Sequence, residues 1–279
     1  MTNARRLPDF IIIGAMKCGT TTLYRHLNDH PGIDMSRDKE TDFFIAEKSW
    51  DRGLPWYSAQ FVGNAPLCGE ASPNYTKARD FPGVPARVAA TCPGVRLIYI
   101  LRDPVARAES QFRHGVTMGE LDPSDVSFAD DHEYAHIMDA SRYAHQLDLW
   151  LEHFRREAIL LLDFDDLKRD AQSVMDQVHS HIGAPSRTID HIGAMNDSAQ
   201  LSRVPAPILS FGQSPLGRRV LGLIGRDTRD RIRSALALGR RRAPPPLPDA
   251  LLARMRAELA PDAARLRTTT GLQFAGWSV

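Results

Sequence analysis

The chain has only three cysteines, Cys18, Cys68 and Cys92, with no CxxC pair and no zinc-finger spacing. That excludes a disulfide-stapled scaffold and a cysteine-ligated metal module, and it predicts a reducing, cytoplasmic setting. A surplus of either charge is also missing, since 35 Lys+Arg face 34 Asp+Glu. A dedicated nucleic-acid binder needs excess cations to displace counterions from phosphates, so no nucleic-acid partner is expected. Long apolar runs are absent too: the run from Phe10 to Ile13 is too short for a signal-peptide core or a membrane span. No internal repeat is visible. What remains is the composition of a globular domain, 43% apolar and 25% charged over 279 residues, which excludes disordered and collagen-like chains. A chain of this length can bury roughly 75% of its unfolded surface without staples.

The apolar pattern alternates between two periods. Phe10–Ile13 is aromatic or β-branched, a Gly/Thr-rich loop follows, and helical spacing begins near Thr21 with Leu23 and Leu27. Arg96–Leu101 repeats the theme, with Pro104 opening a helix to about Val116. So does Ala158–Leu162, before a helix from about Leu167 to Ile182. Strands alternating with helices predict one α/β domain over 1–279, a three-layer, P-loop-like fold with a central parallel β-sheet flanked by helices. Tyr143, Leu147, Trp150 and Phe154 predict a further helix over Arg142–Arg155. From about 205 to 279 the chain reads as a helical, Arg-rich C-terminal part, with Leu251, Met255, Leu259 and Leu266 at helical spacing after the stiff Ala243–Pro248 connector. Arg218–Arg242 carries nine arginines against Asp227 and Asp230. It reads as a basic lid, as a peripheral contact to anionic lipid, or as a solvated helical face.

The loop Gly14-Ala-Met-Lys17-Cys18-Gly19-Thr20-Thr21-Thr22 joins the first strand to the first helix. Backbone N–H groups and a helix N-terminus converge there, which makes an anion site. The nucleoside-triphosphate pattern GxxxxGK[ST] has the same glycine spacing, but Thr20 stands at its lysine position and the lysine has moved back to position 17. A cation there lies within the loop, beside the first phosphate and whatever it carries.

With that displacement, the loop resembles the 5′-phosphosulfate loop of the sulfotransferases that use 3′-phosphoadenosine 5′-phosphosulfate (PAPS), in the branch of the heparan sulfate enzymes and their bacterial homologues. Arg102-Asp-Pro104-Val-Ala-Arg107-Ala-Glu-Ser110 is similar to that family's 3′-phosphate signature. A guanidinium at a strand end and a hydroxyl on the next helix can share one phosphate. Other family-like stretches are Lys39-Glu40-Thr-Asp42-Phe43-Phe44, Gly69–Tyr75, Tyr143–Leu147 and Gly271–Trp277, and the likeness is strongest over 8–115.

The resemblance implies a PAPS site on Lys17, Cys18, Gly19, Thr20, Thr21, Thr22, Arg102 and Ser110. It also implies in-line transfer of a sulfuryl group to a hydroxyl or amine, with no metal expected. Lys17 would stabilise the leaving group, and Glu40 would take the acceptor proton. From residue chemistry alone, Glu40 reads as a surface glutamate paired with Lys39, Arg102 as a salt-bridge partner of Asp103, and Ser110 as a solvated hydroxyl. Two departures stand out: the heparan-type lysine after Glu70 is Ala71 here, and the histidine two residues beyond Glu40 is Asp42. Both remove cations, so the expected acceptor is a carbohydrate, lipid or small molecule less acidic than a heparan chain. Asp42 and His114 are the acceptor-side candidates.

Three other readings compete. His132-Glu133-Tyr-Ala-His136 matches HExxH, the zinc-hydrolase pattern, with Glu152 and Glu157 as candidate third ligands. Ile159–Asp163 could end in the magnesium carboxylate of a P-loop kinase, although Thr20 in place of the lysine argues against it. A non-catalytic module sensing PAPS or its product is the third, and Glu40 weighs against it. The oligomeric state is not written in the sequence.

Overall fold

The structure is a computed structural model, and it describes residues 6–118, 121, 132–189 and 246–279. Five strands, β1 (Phe10–Gly14), β2 (Ile33–Met35), β3 (Leu67–Ala71), β4 (Arg96–Leu101) and β5 (Ile159–Asp163), form one parallel sheet in the order β2-β3-β1-β4-β5. Every residue of β1 is buried, which explains why this strand is a continuous apolar run rather than an alternating one: both faces are covered. Phe10 pairs with Gly69 on one side and Arg96 on the other. Gly69 is required there, because a Cβ would lie 2.3 Å from the Phe10 ring.

From β1 the chain runs outward to β2 and β3, then crosses to β4 on the opposite side. The strand order therefore reverses between β1 and β4, and a crevice opens at their carboxyl ends, where ligands of open α/β sheets bind.

The helices are α1 (Thr20–Asn28), α2 (Gly53–Ser58), α3 (Val84–Thr91), α4 (Pro104–Met118), α5 (His132–Ser141), α6 (Tyr143–Leu151), α7 (Phe164–Arg169), α8 (Ala171–Ile182) and α9 (Asp249–Thr270). Three of the helices expected from sequence come out differently. The single helix expected over Leu167–Ile182 is two, because Asp170 leaves helical geometry and its side chain accepts from Ser173 N–H, capping α8. Likewise Asp163 accepts from Asp165 N–H and starts α7 early. Helix α6 stops at Leu151, short of Arg155, yet Phe154 still packs on Trp150 at 5.7 Å between ring centroids. Helix α9 is longer than its apolar stripe and ends at Gly271, whose φ of 73° suits a glycine C-cap.

A second apolar cluster, made by Val105, Ala108 and Phe112 of α4, Tyr134, Ile137 and Met138 of α5, and Met255 and Leu259 of α9, fixes α4 beside the sheet. Arg107 is fully buried at its margin and donates to Ser141 Oγ, Gln111 Oε1 and the Ile137 carbonyl, each at 2.6 Å. Asp262 of α9 accepts from the Ala144 and His145 N–H groups at 2.9 and 3.0 Å, capping α6 from a distant part of the chain. The Arg218–Arg242 segment lies outside the described residues.

Candidate functional site

The first cradle is the β1–α1 loop. Gly14 lies so close to the turn after β3 that a Cβ would sit 2.2 Å from Thr76 Oγ1. Gly19 has φ 89°, and a Cβ there would lie 2.7 Å from the Phe164 ring. Lys17 also takes the left-handed region, with φ 69°, which is costly for a lysine and seen mainly where function or packing demands it. Helix α1 then starts with no side-chain cap and no acidic residue in its first turn, so the dipole and the N–H groups of Thr20 and Thr21 face the loop unopposed. The other two loop residues are held by the fold. Cys18 N–H donates to the Ala15 carbonyl at 3.2 Å and Thr22 N–H to Gly19 O at 3.0 Å. The Cys18 thiol is fully buried, and burial pushes its pKa up to about 11, so its side chain packs rather than reacts.

The second cradle lies one strand away. Ala15 N–H donates to the Ile100 carbonyl at 2.8 Å, tying the first loop to β4. Beyond Leu101, Asp103 accepts from Ala106 N–H at 2.8 Å as the cap of α4, and its other oxygen takes the Ser278 N–H of the C-terminal tail. Asp103 is thus occupied by backbone groups, and the Arg102 guanidinium lies instead 5.5 Å from the centre of the Phe164 ring. Ser110 is half-buried on the second turn of α4. Phe164, which touches the Gly19 position and faces Arg102, bridges the two cradles from α7, a role that nothing in its local sequence announces.

The third group sits at the carboxyl end of β3. Glu40 N–H donates to the Ala71 carbonyl at 3.0 Å, and Asp42 N–H to Ser72 Oγ at 3.1 Å. Both residues are left-handed, with φ 61° and 48°. Between them Thr41 donates to Glu70, which is fully buried and also takes the hydroxyls of Tyr57 (2.7 Å), Ser72 (2.9 Å) and Tyr75 (3.0 Å). Burial raises the Glu70 pKa against those four hydroxyls, which favour its charged form. Glu70 is a post on which the Glu40 turn is hung, and sequence reading quoted it without giving it that role.

Glu40 itself is 39% exposed and paired with Lys39 at 2.5 Å, as its residue chemistry alone foretold. Burial opposes its ionisation, but Lys39, Lys77 and Lys48 outweigh it and hold the carboxyl below its usual range. Asp42 pairs with Lys48 at 2.5 Å and takes Asn74 Nδ2 at 2.9 Å. His114 of α4 is pushed down to about 4 by burial, then by Lys17, with Glu40 opposing and Lys77 assisting. Lys17, Glu40 and Lys77 all act on this imidazole, and the bonds of Ala15 to Ile100 and of Glu40 to Ala71 set the β1 loop and the Glu40 turn at the carboxyl ends of neighbouring strands. Lys77 was not singled out from sequence.

The competing patterns fare less well. His132 and His136 of α5 both face Asp80, His136 Nδ1 in close contact and His132 Nε2 at 3.5 Å. His132 is 67% exposed, and Glu133 lies 3.7 Å from its ring. Among the described residues no group of three His, Cys, Asp or Glu side chains is placed to hold a metal ion. Asp163, the candidate kinase carboxylate, is engaged in capping α7.

The profile of the sulfotransferase domain family matches residues 7–201, more than half of the chain, and the chain belongs to that family. Bifunctional heparan sulfate N-deacetylase/N-sulfotransferase 1 of Caenorhabditis elegans is 28% identical over 195 residues, which cover 65% of this chain and 22% of the relative. Human heparan sulfate glucosamine 3-O-sulfotransferase 3B1 is 29% identical over 191 residues, 65% of this chain and 47% of that protein. The chain thus spans less than half the length of these curated relatives. A solved sulfotransferase from Alicyclobacillus acidocaldarius has the same fold, with a TM-score of 0.67 at 22% identity over 98% of this chain and 100% of that one.

Proposed function

We propose that this chain is an enzyme that moves the sulfuryl group of PAPS to a hydroxyl or amine of a carbohydrate, lipid or small-molecule acceptor. The observation that carries the reading is how the backbone joins the parts at the carboxyl edge of the sheet: Ala15 N–H to the Ile100 carbonyl ties the two anion cradles together, and Glu40 N–H to the Ala71 carbonyl sets the glutamate turn on the strand paired with β1. In this reading the loop from Lys17 to Thr22 holds the 5′-phosphate, while Arg102 and Ser110 hold the 3′-phosphate. Lys17 stabilises charge on the bridging oxygen as the sulfur–oxygen bond breaks. Glu40, ionised at neutral pH, takes the acceptor proton, and its attachment to Glu70 through Thr41 keeps it aimed. His114 stays neutral and lines the acceptor side with Asp42. No residue here needs a metal for these roles.

The relatives named above carry heparan sulfate in their names. Here the acceptor-side carboxylates are each paired with a lysine, Glu40 with Lys39 and Asp42 with Lys48, which suits an acceptor less acidic than a sulfated glycan. The test is titration calorimetry with adenosine 3′,5′-bisphosphate, followed by transfer of labelled sulfate from PAPS to a panel of neutral and sulfated acceptors. Bisphosphate binding with transfer supports the reading. Binding without any transfer would leave a nucleotide-sensing module, and no binding would overturn the donor assignment.

A further inference from the structure

Lys77 follows the 3₁₀ turn Pro73–Thr76 and is 6% exposed, yet its ammonium makes no hydrogen bond or ion pair with a described residue. The residue is buried while the ammonium itself still reaches solvent, the arrangement of a lysine that hides its methylenes and keeps its charge wet. The backbone around it is firmly held. Ala78 N–H donates to Gln146 Oε1 at 3.2 Å and Arg79 N–H to Asp139 Oδ2 at 3.1 Å, while the Lys77 carbonyl accepts from Asp80 and Phe81. These bonds fix the backbone from which the Lys77 side chain starts.

The charged and titratable groups around that place come from four elements. Glu40, Asp42 and Lys48 belong to the loop after β2, Asp80 to its own turn, Arg107 and His114 to α4, and His136 to α5. Most are already engaged: Glu40 with Lys39, Asp42 with Lys48, Asp80 with His136, and Arg107 with Ser141, Gln111 and the Ile137 carbonyl. The three N–H donors of the Lys77 ammonium remain without a partner among the described residues, and their charge acts on the carboxylate assigned to deprotonate the acceptor.

We infer that Lys77 is a further acceptor-binding residue: its ammonium donates to a second oxygen of the acceptor, vicinal to the hydroxyl that Glu40 deprotonates. The inference rests on the sulfotransferase reading and narrows it to acceptors with adjacent oxygens, such as vicinal diols. Burial, with Arg107 and Lys48, pulls the Lys77 pKa down to about 8, as expected of a cation awaiting an oxygen partner.

The test uses matched probes, trans-cyclohexane-1,2-diol and cyclohexanol, with the full chain, PAPS, and the variants Lys77→Met and Lys77→Arg. The wild type should favour the diol in kcat/KM by about ten-fold, the size of a lost charge-assisted hydrogen bond. Lys77→Met should bring that ratio near one with bisphosphate affinity unchanged, and Lys77→Arg should restore part of it. The ratio cancels a general loss of activity, so a merely structural role would not move it. A wild-type ratio near one, or a ratio retained in Lys77→Met, overturns the inference. If neither probe is sulfated, the ¹³Cε resonance of Lys77 in bisphosphate-saturated protein decides separately. A shift with the diol and none with cyclohexanol supports the contact even as the transfer reading fails, and no shift overturns it.

Discussion

The β1–α1 loop and the Glu40 turn lie on the same edge of the sheet but are built in opposite ways. The loop is made of backbone: Gly14 and Gly19 admit close neighbours, and the uncapped start of α1 supplies the field. The turn is made of side chains, with Thr41 anchored to Glu70 and the charge of Glu40 set by lysines at positions 39, 48 and 77. A backbone site depends on local conformation and tolerates few substitutions. A side-chain site depends on where distant segments deliver their charges, so it can be rebuilt while the loop stays the same.

Breaking each side separately sharpens that contrast. Lys17→Ala should reduce sulfuryl transfer by about 100- to 1,000-fold, the scale of removing one preorganised charge from a transition state. Unchanged single-turnover rates would remove Lys17 from that role. Glu40→Gln should lower transfer by roughly 100-fold and leave the bisphosphate dissociation constant in place. If the bisphosphate bound much more weakly, Glu40 would belong to the donor side instead.

Gly19→Ala introduces a methyl group against Phe164 at a left-handed position. It should destabilise the fold by about 1–2 kcal/mol in urea titrations and weaken bisphosphate binding, because the loop must shift. A neutral effect on both would show that the loop has slack.

The smallest effect separates the site from the scaffold. His26 and His179 pack where α1 meets α8, and their pKa values are lowered chiefly by burial, helped for His179 by His30. Because the folded state disfavours their protonated forms, their contribution is full above the ordinary value near 6.5 and is lost as pH falls below it. Unfolding free energy should therefore decline from pH 7 toward pH 5, and His179→Asn should flatten the slope without altering bisphosphate binding. An unchanged slope in the variant would show that other groups, such as His114, carry the acid sensitivity.

Legibility followed the same division. The strands at Phe10, Arg96 and Ile159 were readable because a parallel strand covered on both faces is a short unbroken apolar run. The boundary between α7 and α8 was not, since Asp170 is an ordinary helix-surface residue until its side chain turns to cap Ser173. Cys18 stood in the readable loop, yet its side chain proved to be core. Phe164 and Lys77 carry no motif at all, and only the crossing to β5 and the turn after β3 bring the one beside Arg102 and the other into the interior.

By itself, then, the order of residues determined the two loops at strand ends and the displaced lysine, because these depend on glycines, hydroxyls and cations a few positions apart. Only the tertiary structure decided that Glu70 is a buried post while Glu40 stays partly exposed, and that Lys77 is drawn into the interior. Charge and protonation state depend on distance through the folded protein, and that distance bears no fixed relation to separation along the chain.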